Sequence, residues 1–421
     1  MKQVKKILSL LGPGFITGAS DDDPSGIGTY AQTGAQFGYS QLWTALFSTP
    51  FMIVVQEMCG RIGMVTGLGL SGVVKRHYAK PILFIAVFLL FSANTINIGA
   101  DLGAMAASLQ LILGIPFVLW LLGLTTLTLL LEIFVPYPAY ARFLKYLTLS
   151  LFAYIITAFV VKLDLKSVLN ATIVPSFSLD KDYIFNIVAI LGTTISPYLF
   201  FWQADEEVEE EIEHHKLRSL GKGVPRVTEK DIREMRVDTT IGMFFSNLVM
   251  FFIIVTTAAT LGLHGIKNIE TADQAAEALK PFAGNFAFLL FAMGIVGTGL
   301  LAVPILAGSA SYAISEAFNW RAGLSKKFTK AYGFYAVIGI ATIIGVLVNF
   351  SPIKPFQMLY FAAVLNGISA PVLLILILFI ANNKRIMGKH TNTLFPNIFG
   401  VAITLFMTIA AVVLLFILWK K

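Results

Sequence analysis

Residues 11–39 read LGPGFITGASDDDPSGIGTYAQTGAQFGY, an apolar stretch that three consecutive aspartates and a proline interrupt. A helix running through Pro24 would lose a backbone hydrogen bond, and the aspartates at 21–23 would each cost about 3 kcal/mol in lipid. Residues 8–19 alone are too short to cross a bilayer, which disfavours an aqueous loop between two shorter helices. We therefore expect one membrane span that is broken at the aspartates.

The composition of the 421-residue chain is that of a membrane protein: 57% of its residues are hydrophobic, 13% are charged and the mean hydropathy is +0.78. Soluble domains carry about a quarter charged residues, so an ordinary cytosolic enzyme is excluded. The single cysteine, Cys59, closes no intramolecular disulfide and forms no thiolate metal cluster. The net charge of +7 is modest, and membrane orientation explains it better than nucleic-acid binding does.

Apolar segments long enough for one membrane crossing recur along the chain and predict an all-α polytopic protein with eleven spans. The spans lie near residues 8–35, 40–62, 81–109, 113–134, 143–163, 182–204, 237–263, 282–314, 331–350, 356–381 and 394–419. Of the 31 Lys and Arg residues, 23 fall on the side of the N-terminus and 8 on the opposite side. Because basic loops stay inside, we expect a multi-pass protein of the plasma or inner membrane, with a cytoplasmic N-terminus and an external C-terminus.

A second interrupted span carries GTTISPY at residues 192–198 and lies five spans after the first. Since five is odd, the two broken spans run in opposite orientations. Broken spans at matching positions of two inverted halves are typical of transporters that bind substrate at the bilayer midplane. We therefore predict a single transmembrane domain over 1–421, with repeat one at about 8–163, repeat two at about 182–381, an extra helix at 394–419 and a cytoplasmic loop at about 205–236.

One stretch of the chain looks soluble: ten of the 24 acidic residues fall within 205–234. A solvated helix extension with a loop is one interpretation, and an acidic inner vestibule that attracts cations is the other. His214 and His215 are adjacent and point to different faces of a helix, which argues against a metal site there.

The first break also predicts a cation site. Where a helix is interrupted, freed carbonyl oxygens and a nearby carboxylate point at the same place, and an all-oxygen cage suits a hard cation. Consecutive side chains do not all face one point, so Asp23, next to Pro24, is the expected ligand. We expect Asp21 and Asp22 to cap helix ends, line the path or contact other spans.

The run at 11–39 resembles the first transmembrane segment of the natural resistance-associated macrophage protein (NRAMP) family, whose signature is LGPGF followed by Asp-Pro-Gly-Asn. The segment GTTISPYLFFWQA at 192–204 is similar to the family's sixth segment, with its Met-Pro-His motif. With eleven spans and an inverted repeat, the resemblance covers most of the chain. It implies a leucine-transporter-like fold that carries divalent metal inward, with two inverted five-helix repeats, an eleventh helix, and helices 1 and 6 broken.

The resemblance also implies a set of metal ligands. In the family, metal is held by the Asp and Asn of the first motif, the Met of the second, and nearby carbonyls. Here Asp23 matches the Asp, while Gly26 replaces the Asn and Ser196 replaces the Met. Backbone carbonyls at two further positions and the tyrosine that replaces the motif His complete the expected site, which comprises Asp23, Ser20, Gly26, Thr193, Ser196 and Tyr198.

These departures change the expected metal. A thioether favours transition metals, so a hydroxyl at Ser196 makes the site harder. We expect Gly26 to widen the cavity and remove a direct ligand, which lets the ion keep several waters, as magnesium commonly does. The sequence is therefore most similar to the NRAMP-related magnesium transporters, and less so to the classical manganese and iron importers.

Proton coupling is expected to be weak or absent. Classical members use an Asp and a Glu on span 3 and histidines on span 6, whereas the matching positions here hold Asn97, Ala100, Tyr198 and Gln203. Asp101 stands one position further along, where its side chain is expected to point elsewhere. Weaker candidates for the cavity or the path are Asp22, Asn94, Asn97, Asp101, Gln203 and Asn366.

The sequence predicts a secondary transporter that imports divalent cations, Mg²⁺ and also Mn²⁺, by alternating access, and no enzymatic activity. The alternatives are a classical proton-coupled Mn²⁺/Fe²⁺ importer, a channel, an amino-acid symporter, and an intramembrane aspartyl protease that uses Asp23 and Asp101. Asp23 would repel an amino acid's carboxylate, and a protease needs neither eleven spans nor two breaks. The metal is expected as substrate rather than cofactor, the bilayer as the other partner, and neither nucleic acid nor a required protein partner is expected.

Overall fold

The computed structural model describes residues 12–135 and 150–420, apart from 222, 224 and 325, and within these residues it contains helices and no strand. The described α-helices of eight or more residues are α1 (Pro13–Asp21), α2 (Pro24–Phe37), α3 (Trp43–Thr66), α4 (Leu70–His77), α5 (Lys80–Leu113), α6 (Phe117–Phe134), α7 (Phe152–Val160), α8 (Leu165–Ile173), α9 (Lys181–Thr194), α10 (Pro197–Glu213), α11 (Glu229–Thr257), α12 (Ala287–Phe318), α13 (Tyr332–Val348), α14 (Pro355–Asn382) and α15 (Leu394–Trp419). The all-α prediction is confirmed.

The predicted spans correspond to helices of different lengths. In the part of the chain that the structure describes, seven helical segments are long and apolar enough to cross a membrane, or eight if α3 and α4, which meet at 64°, form one. The first predicted span is divided between α1 and α2, and the ninth, α13, has 17 residues. The fifth begins at residue 143, so its first part lies outside the described residues, as do the basic residues Arg142 and Lys145 and the start of the first span at residues 8–11.

Both predicted breaks are confirmed, and each has the same construction. Helix α1 ends at Asp21 and α2 begins at Pro24, with Asp23 as its N-cap residue. Helix α9 ends at Thr194 and α10 begins at Pro197. Proline suits the first position of a helix, because its fixed φ is helical and its missing N–H has no partner to lose there. Each proline therefore ends one half-helix and starts the next.

The half-helices pack against long helices that fix the breaks in the interior. Helix α1 packs on α11 and α10 packs on α3, while α5 contacts α12, α13 and α14. The α1–α11 crossing is a backbone contact, because a Cβ added at Gly18 would lie 2.3 Å from the carbonyl carbon of Gly242. Small residues at a crossing let two backbones approach this closely. The path of α1 therefore depends on the absence of side chains there.

Replacing Gly18 by valine should prevent α1 from seating on α11. The added atoms meet backbone, which does not move aside as a flexible side chain does, so we expect a loss of about 3 kcal/mol of stability, the upper end of the usual cost of overpacking. The measurement is the melting temperature of the purified protein in detergent. The control is Gly339→Ala on α13, where an added Cβ meets nothing within 4 Å. A Gly18→Val protein that melts with the wild type would contradict the packing described here.

Candidate cation site at the two helix breaks

The Asp23 carboxylate is held in place at the break between α1 and α2. Its Oδ1 accepts hydrogen bonds from the backbone N–H of Gly26 at 2.6 Å and from the hydroxyl of Ser25 at 2.8 Å. Its Oδ2 accepts a third from the Asn97 amide at 2.8 Å. The side chain is 1% exposed, so these donors replace the water that a carboxylate otherwise requires. A carboxylate so fixed is pre-oriented for a ligand at the break.

Asn97 connects this carboxylate to a second one. The Asn97 amide also donates to Oδ2 of Asp101 at 3.2 Å, because residues four apart share one face of α5. The expectation that Asp101 points away from the site was therefore wrong. It rested on the different directions of adjacent side chains at positions 100 and 101, whereas Asp101 shares a helix face with Asn97, one turn earlier. Asn366 of α14 donates to the Asn97 carbonyl oxygen at 3.5 Å, so three spans meet here.

The second break faces the first. The Ser196 hydroxyl donates to the carbonyl oxygens of Gly192 at 2.9 Å and Thr193 at 2.5 Å, which leaves its oxygen able to accept. The Tyr198 hydroxyl donates to the carbonyl oxygen of Ser20 at 3.0 Å and so joins α10 to the end of α1. All six expected site residues therefore contribute to the contacts within and between the breaks.

Gly26 faces oxygen atoms. The atoms nearest to a Cβ added there would be Thr193 Oγ1 at 3.1 Å, the Asp21 carbonyl oxygen at 3.2 Å and Asp23 Oδ1 at 3.4 Å. The expectation that Gly26 widens the cavity was thus wrong in this conformation, because neighbouring groups close on the space that a side chain would fill. Oxygen atoms of both breaks therefore gather beside Gly26, and oxygen is the ligand atom that hard cations prefer.

Several buried oxygens near the breaks lack hydrogen-bond partners. They are Asp21 Oδ1, Asp101 Oδ1 and Asn366 Oδ1. Buried acceptors are normally satisfied, so oxygens left without donors are available to a cation or to water. In the described part of the chain, no group of three or more His, Cys, Asp or Glu side chains is arranged to hold a metal. Any metal at the breaks would therefore bind to a mixture of carboxylate and neutral oxygens.

The remaining predicted residues lie away from the breaks or contact neighbouring helices. The Ser246 hydroxyl of α11 is 2.5 Å from Asp21 Oδ2 and 3.4 Å from Asp22 Oδ1, which ties both acids to a neighbouring span. Asn94 donates to the Leu306 carbonyl of α12 at 2.8 Å, a packing contact away from Asp23. Gln203 also lies away from the breaks, further along α10.

Two serines at the first break were missed by sequence reasoning. Ser25 follows Asp23 by two residues, a spacing typical of a hydroxyl that bonds locally, so the sequence carried a signal for it. Ser246 lies more than 200 residues away along the chain, and no local pattern predicts its contact with the aspartates.

Two cavities approach the breaks without including them. One, of about 390 Å³, begins at Gly28 on α2 and is lined further out by Gln32 and Tyr360. The other, of about 240 Å³, lies at the start of α1 and is called the acidic cavity below; it is lined by Gly12, Pro13, Met64, Glu207, Glu210, Glu211, His214, Lys216, Asp231, Glu234, Met235 and Asp238. Neither lining includes a residue of 20–26 or 192–198, and the break side chains are buried.

Comparison with known proteins gives a consistent result. A family model described as "Natural resistance-associated macrophage protein-like" matches residues 14–417. The chain is 24% identical over 420 residues to the divalent metal cation transporter MntH of Yersinia pestis (strain Pestoides F), covering 96% of this chain and 94% of that one. It is 25% identical over 429 residues to MntH of Staphylococcus saprophyticus, with 98% and 92% covered.

Solved structures share the fold. A crystal structure of the Eremococcus coleocola manganese transporter, in complex with an aromatic bis-isothiourea substituted compound, matches with a TM-score of 0.74 at 17% identity, covering 97% of this chain and 86% of that one. Mhp1, a nucleobase-cation-symport-1 family transporter in a closed conformation, matches with a TM-score of 0.58 at 13% identity, covering 97% and 90%. The leucine-transporter-like fold that the family resemblance implies is confirmed.

Proposed function

The chain belongs to the natural resistance-associated macrophage protein family, whose members are membrane metal transporters rather than enzymes, and from this we propose that it imports divalent cations, with Mg²⁺ as the main substrate. The observation that carries the proposal is the oxygen-rich meeting of the two breaks: the three atoms nearest to the Cβ position of Gly26 are oxygens, from Thr193, Asp21 and Asp23. Oxygen ligands suit Mg²⁺ and Mn²⁺, and no soft sulfur ligand stands at the second break, where Ser196 is the N-cap residue.

Several assignments belong to this proposal. The metal-site residues are Asp23, Ser20, Gly26, Thr193, Ser196 and Tyr198, and the weaker path residues are Asp22, Asn94, Asn97, Asp101, Gln203 and Asn366. The repeats at about 8–163 and 182–381 would exchange access, which the matching contacts of α2 with α11 and of α10 with α3 support, since α2 and α10 are the second halves of the two broken spans. The basic loops favour a cytoplasmic N-terminus. The acidic cavity, which Gly12 helps to line, would then open toward the cytoplasm.

Transport is proposed to proceed with weak or no proton coupling. Asn97, Tyr198 and Gln203 occupy positions where a relay would need groups that titrate near neutral pH, and they do not. Two positive charges that move inward gain about 4.6 kcal/mol per 100 mV of membrane potential, which drives uptake without a second ion.

The test is ion flux into liposomes that contain the purified protein, with a magnesium-sensitive dye and a pH dye recorded in parallel. With a potential negative inside, we expect Mg²⁺ entry without acidification of the lumen. Protein-free liposomes under the same potential are the control. Manganese uptake with acidification, and no magnesium entry, would contradict the proposal.

That contrary result describes the second candidate function, a proton-coupled manganese importer. One observation favours it: Asp101 is a buried carboxylate linked through Asn97 to Asp23, so a titratable group does stand beside the proposed metal ligand. Replacing Asp101 by asparagine separates the two functions. Mg²⁺ entry that stays free of proton movement in both proteins supports uniport, whereas proton movement in the wild type that Asp101→Asn removes supports coupling.

A further inference from the structure

The acidic cavity carries an excess of negative charge from two helices. Glu207, Glu210 and Glu211 are spaced three and four residues apart on α10, so they share one face. Asp238 of α11 lines the same cavity, and Glu207 is within Coulombic range of all three of these neighbours. Of the six acidic residues that line this space of about 240 Å³, these four form one cluster.

The two nearest lysines form ion pairs with acids other than these four. Lys216 donates to Asp231 at 2.8 Å, and Lys230 lies 3.6 Å from Glu234. Partial burial opposes the charge of Lys216, but the Asp231 hydrogen bond and the neighbouring glutamates outweigh it and raise the pKa of the ammonium, so the pair stays intact. His214 stands 3.6 Å from Glu210 and is exposed. Among the described residues, no Lys or Arg lies within ion-pair distance of these four carboxylates, although Lys216 and His214 lie close enough to offset part of the charge of Glu210 and Glu211.

Glu211 is the member that points to a ligand. Its side chain lines the cavity and is 3% exposed, and both of its carboxylate oxygens are buried without a hydrogen-bond partner. The other three carboxylates each have at least one polar partner. Glu207 accepts from Gln203 at 2.8 Å, and Asp238 accepts from the backbone N–H groups of Gly12 at 3.0 Å and Gly14 at 2.7 Å. A buried carboxylate without donors is costly unless a cation compensates it.

The cavity is separate from the helix breaks but in line with them. Along α10, Glu207 lies about 15 Å and Glu211 about 21 Å from the start of the helix at Pro197. Gly12 lies about 13 Å from Asp21 along α1. The same two half-helices thus connect the breaks to the acidic cavity, at distances too long for one ion to bind both.

We propose that the acidic cavity is a second cation site, which holds a hydrated divalent cation of the magnesium type between Glu207, Glu210, Glu211 and Asp238. These carboxylates do not converge closely enough for direct coordination, so the ion keeps its waters and binds through them, as Mg²⁺ readily does. The site deepens the proposed function and rests on it for its role, which is to receive the ion that leaves the breaks.

The probe is cobalt(III) hexaammine, an inert complex with the size and shape of hydrated Mg²⁺ that cannot shed its ligands. Such a complex binds where waters suffice and not where Asp23 would coordinate directly. Titration calorimetry on the full-length protein should show one site, displaced by MgCl₂. Glu211→Gln, which keeps the shape and removes the charge, should weaken binding by about tenfold or more. Glu207→Gln should act in the same direction.

The matched control is Glu213→Gln, which removes a charge from the same helix at an exposed position and should leave binding unchanged. Melting temperatures of all variants exclude misfolding. Equal weakening by Glu213→Gln, or none by Glu211→Gln, would overturn the proposal. Mg²⁺ flux tests the site at the helix breaks separately. The Asp23→Asn protein should lose Mg²⁺ flux and retain hexaammine binding. If the wild-type protein binds hexaammine but passes no Mg²⁺, the proposed function is wrong and the cation site in the acidic cavity is still supported.

Discussion

Replacing Asp23 by alanine should abolish divalent cation uptake, with a loss of about a hundredfold or more. The carboxylate is the charged group at the break on which three hydrogen-bond donors converge. Removing it leaves neutral oxygens, which offset little of the free energy needed to dehydrate a divalent ion. A loss of about 2.7 kcal/mol of binding free energy already corresponds to a hundredfold loss of affinity. The measurement is the initial rate of Mg²⁺ and of Mn²⁺ entry into liposomes.

Two controls separate the loss of a metal ligand from a general effect of removing a carboxylate and from misfolding. Asp164→Ala removes an exposed carboxylate that caps α8 and should leave uptake at the wild-type rate. The melting temperature of Asp23→Ala shows whether the protein is folded, since the lost cap at the start of α2 costs about 1 kcal/mol by itself. A folded Asp23→Ala protein that transports normally would remove Asp23 from the metal site.

Replacing Ser196 by methionine should shift selectivity from Mg²⁺ toward Mn²⁺ by about tenfold or more. A thioether at this N-cap position adds a soft ligand that magnesium does not accept and transition metals do. The substitution gives up the hydroxyl's hydrogen bonds to the carbonyls of Gly192 and Thr193, which frees those oxygens at the same break. The measurement is the ratio of the two uptake rates when both ions compete.

Ser196→Ala is the matched control, because it removes the hydroxyl without supplying sulfur. We expect that variant to transport more slowly with its ion preference little changed. If the methionine variant keeps the wild-type ratio while it still transports, the residue at this position does not set selectivity, and the hardness argument for Mg²⁺ fails.

The breaks were predictable because their signals are local. Pro24 and Pro197 each follow a polar residue within an apolar span, and proline in such a place ends a helix whatever surrounds it. The number of spans between the breaks then gave the inverted arrangement. The fold could thus be predicted from residues that lie a few positions apart.

The neighbours of Asp23 were harder to predict, because they depend on which helices meet. Asn97 reaches Asp23 across 74 positions of sequence, whereas Asn94 on the same helix faces α12. Helical periodicity shows that the two side chains lie near each other on α5, but it does not show which partner each one meets. The contact of Ser246 with the aspartates was missed for the same reason, whereas the contact of Asp101 with Asn97 follows from their four-residue spacing and was predictable.

The glycine contact between α1 and α11 has a mechanical consequence. Because no side chains interlock where Gly18 meets Gly242, the resistance of α1 to tilting comes from the contacts near its two ends, which Asp238 and Ser246 of α11 make. A tilt that breaks those contacts would pivot at Gly18. Gly18 lies about 4.5 Å along the helix from Asp21 and about 9 Å from Gly12. The distance from Gly18 to Gly12 is thus about twice the distance from Gly18 to Asp21. A tilt of α1 about Gly18 would therefore move Asp21 about half as far as it moves Gly12.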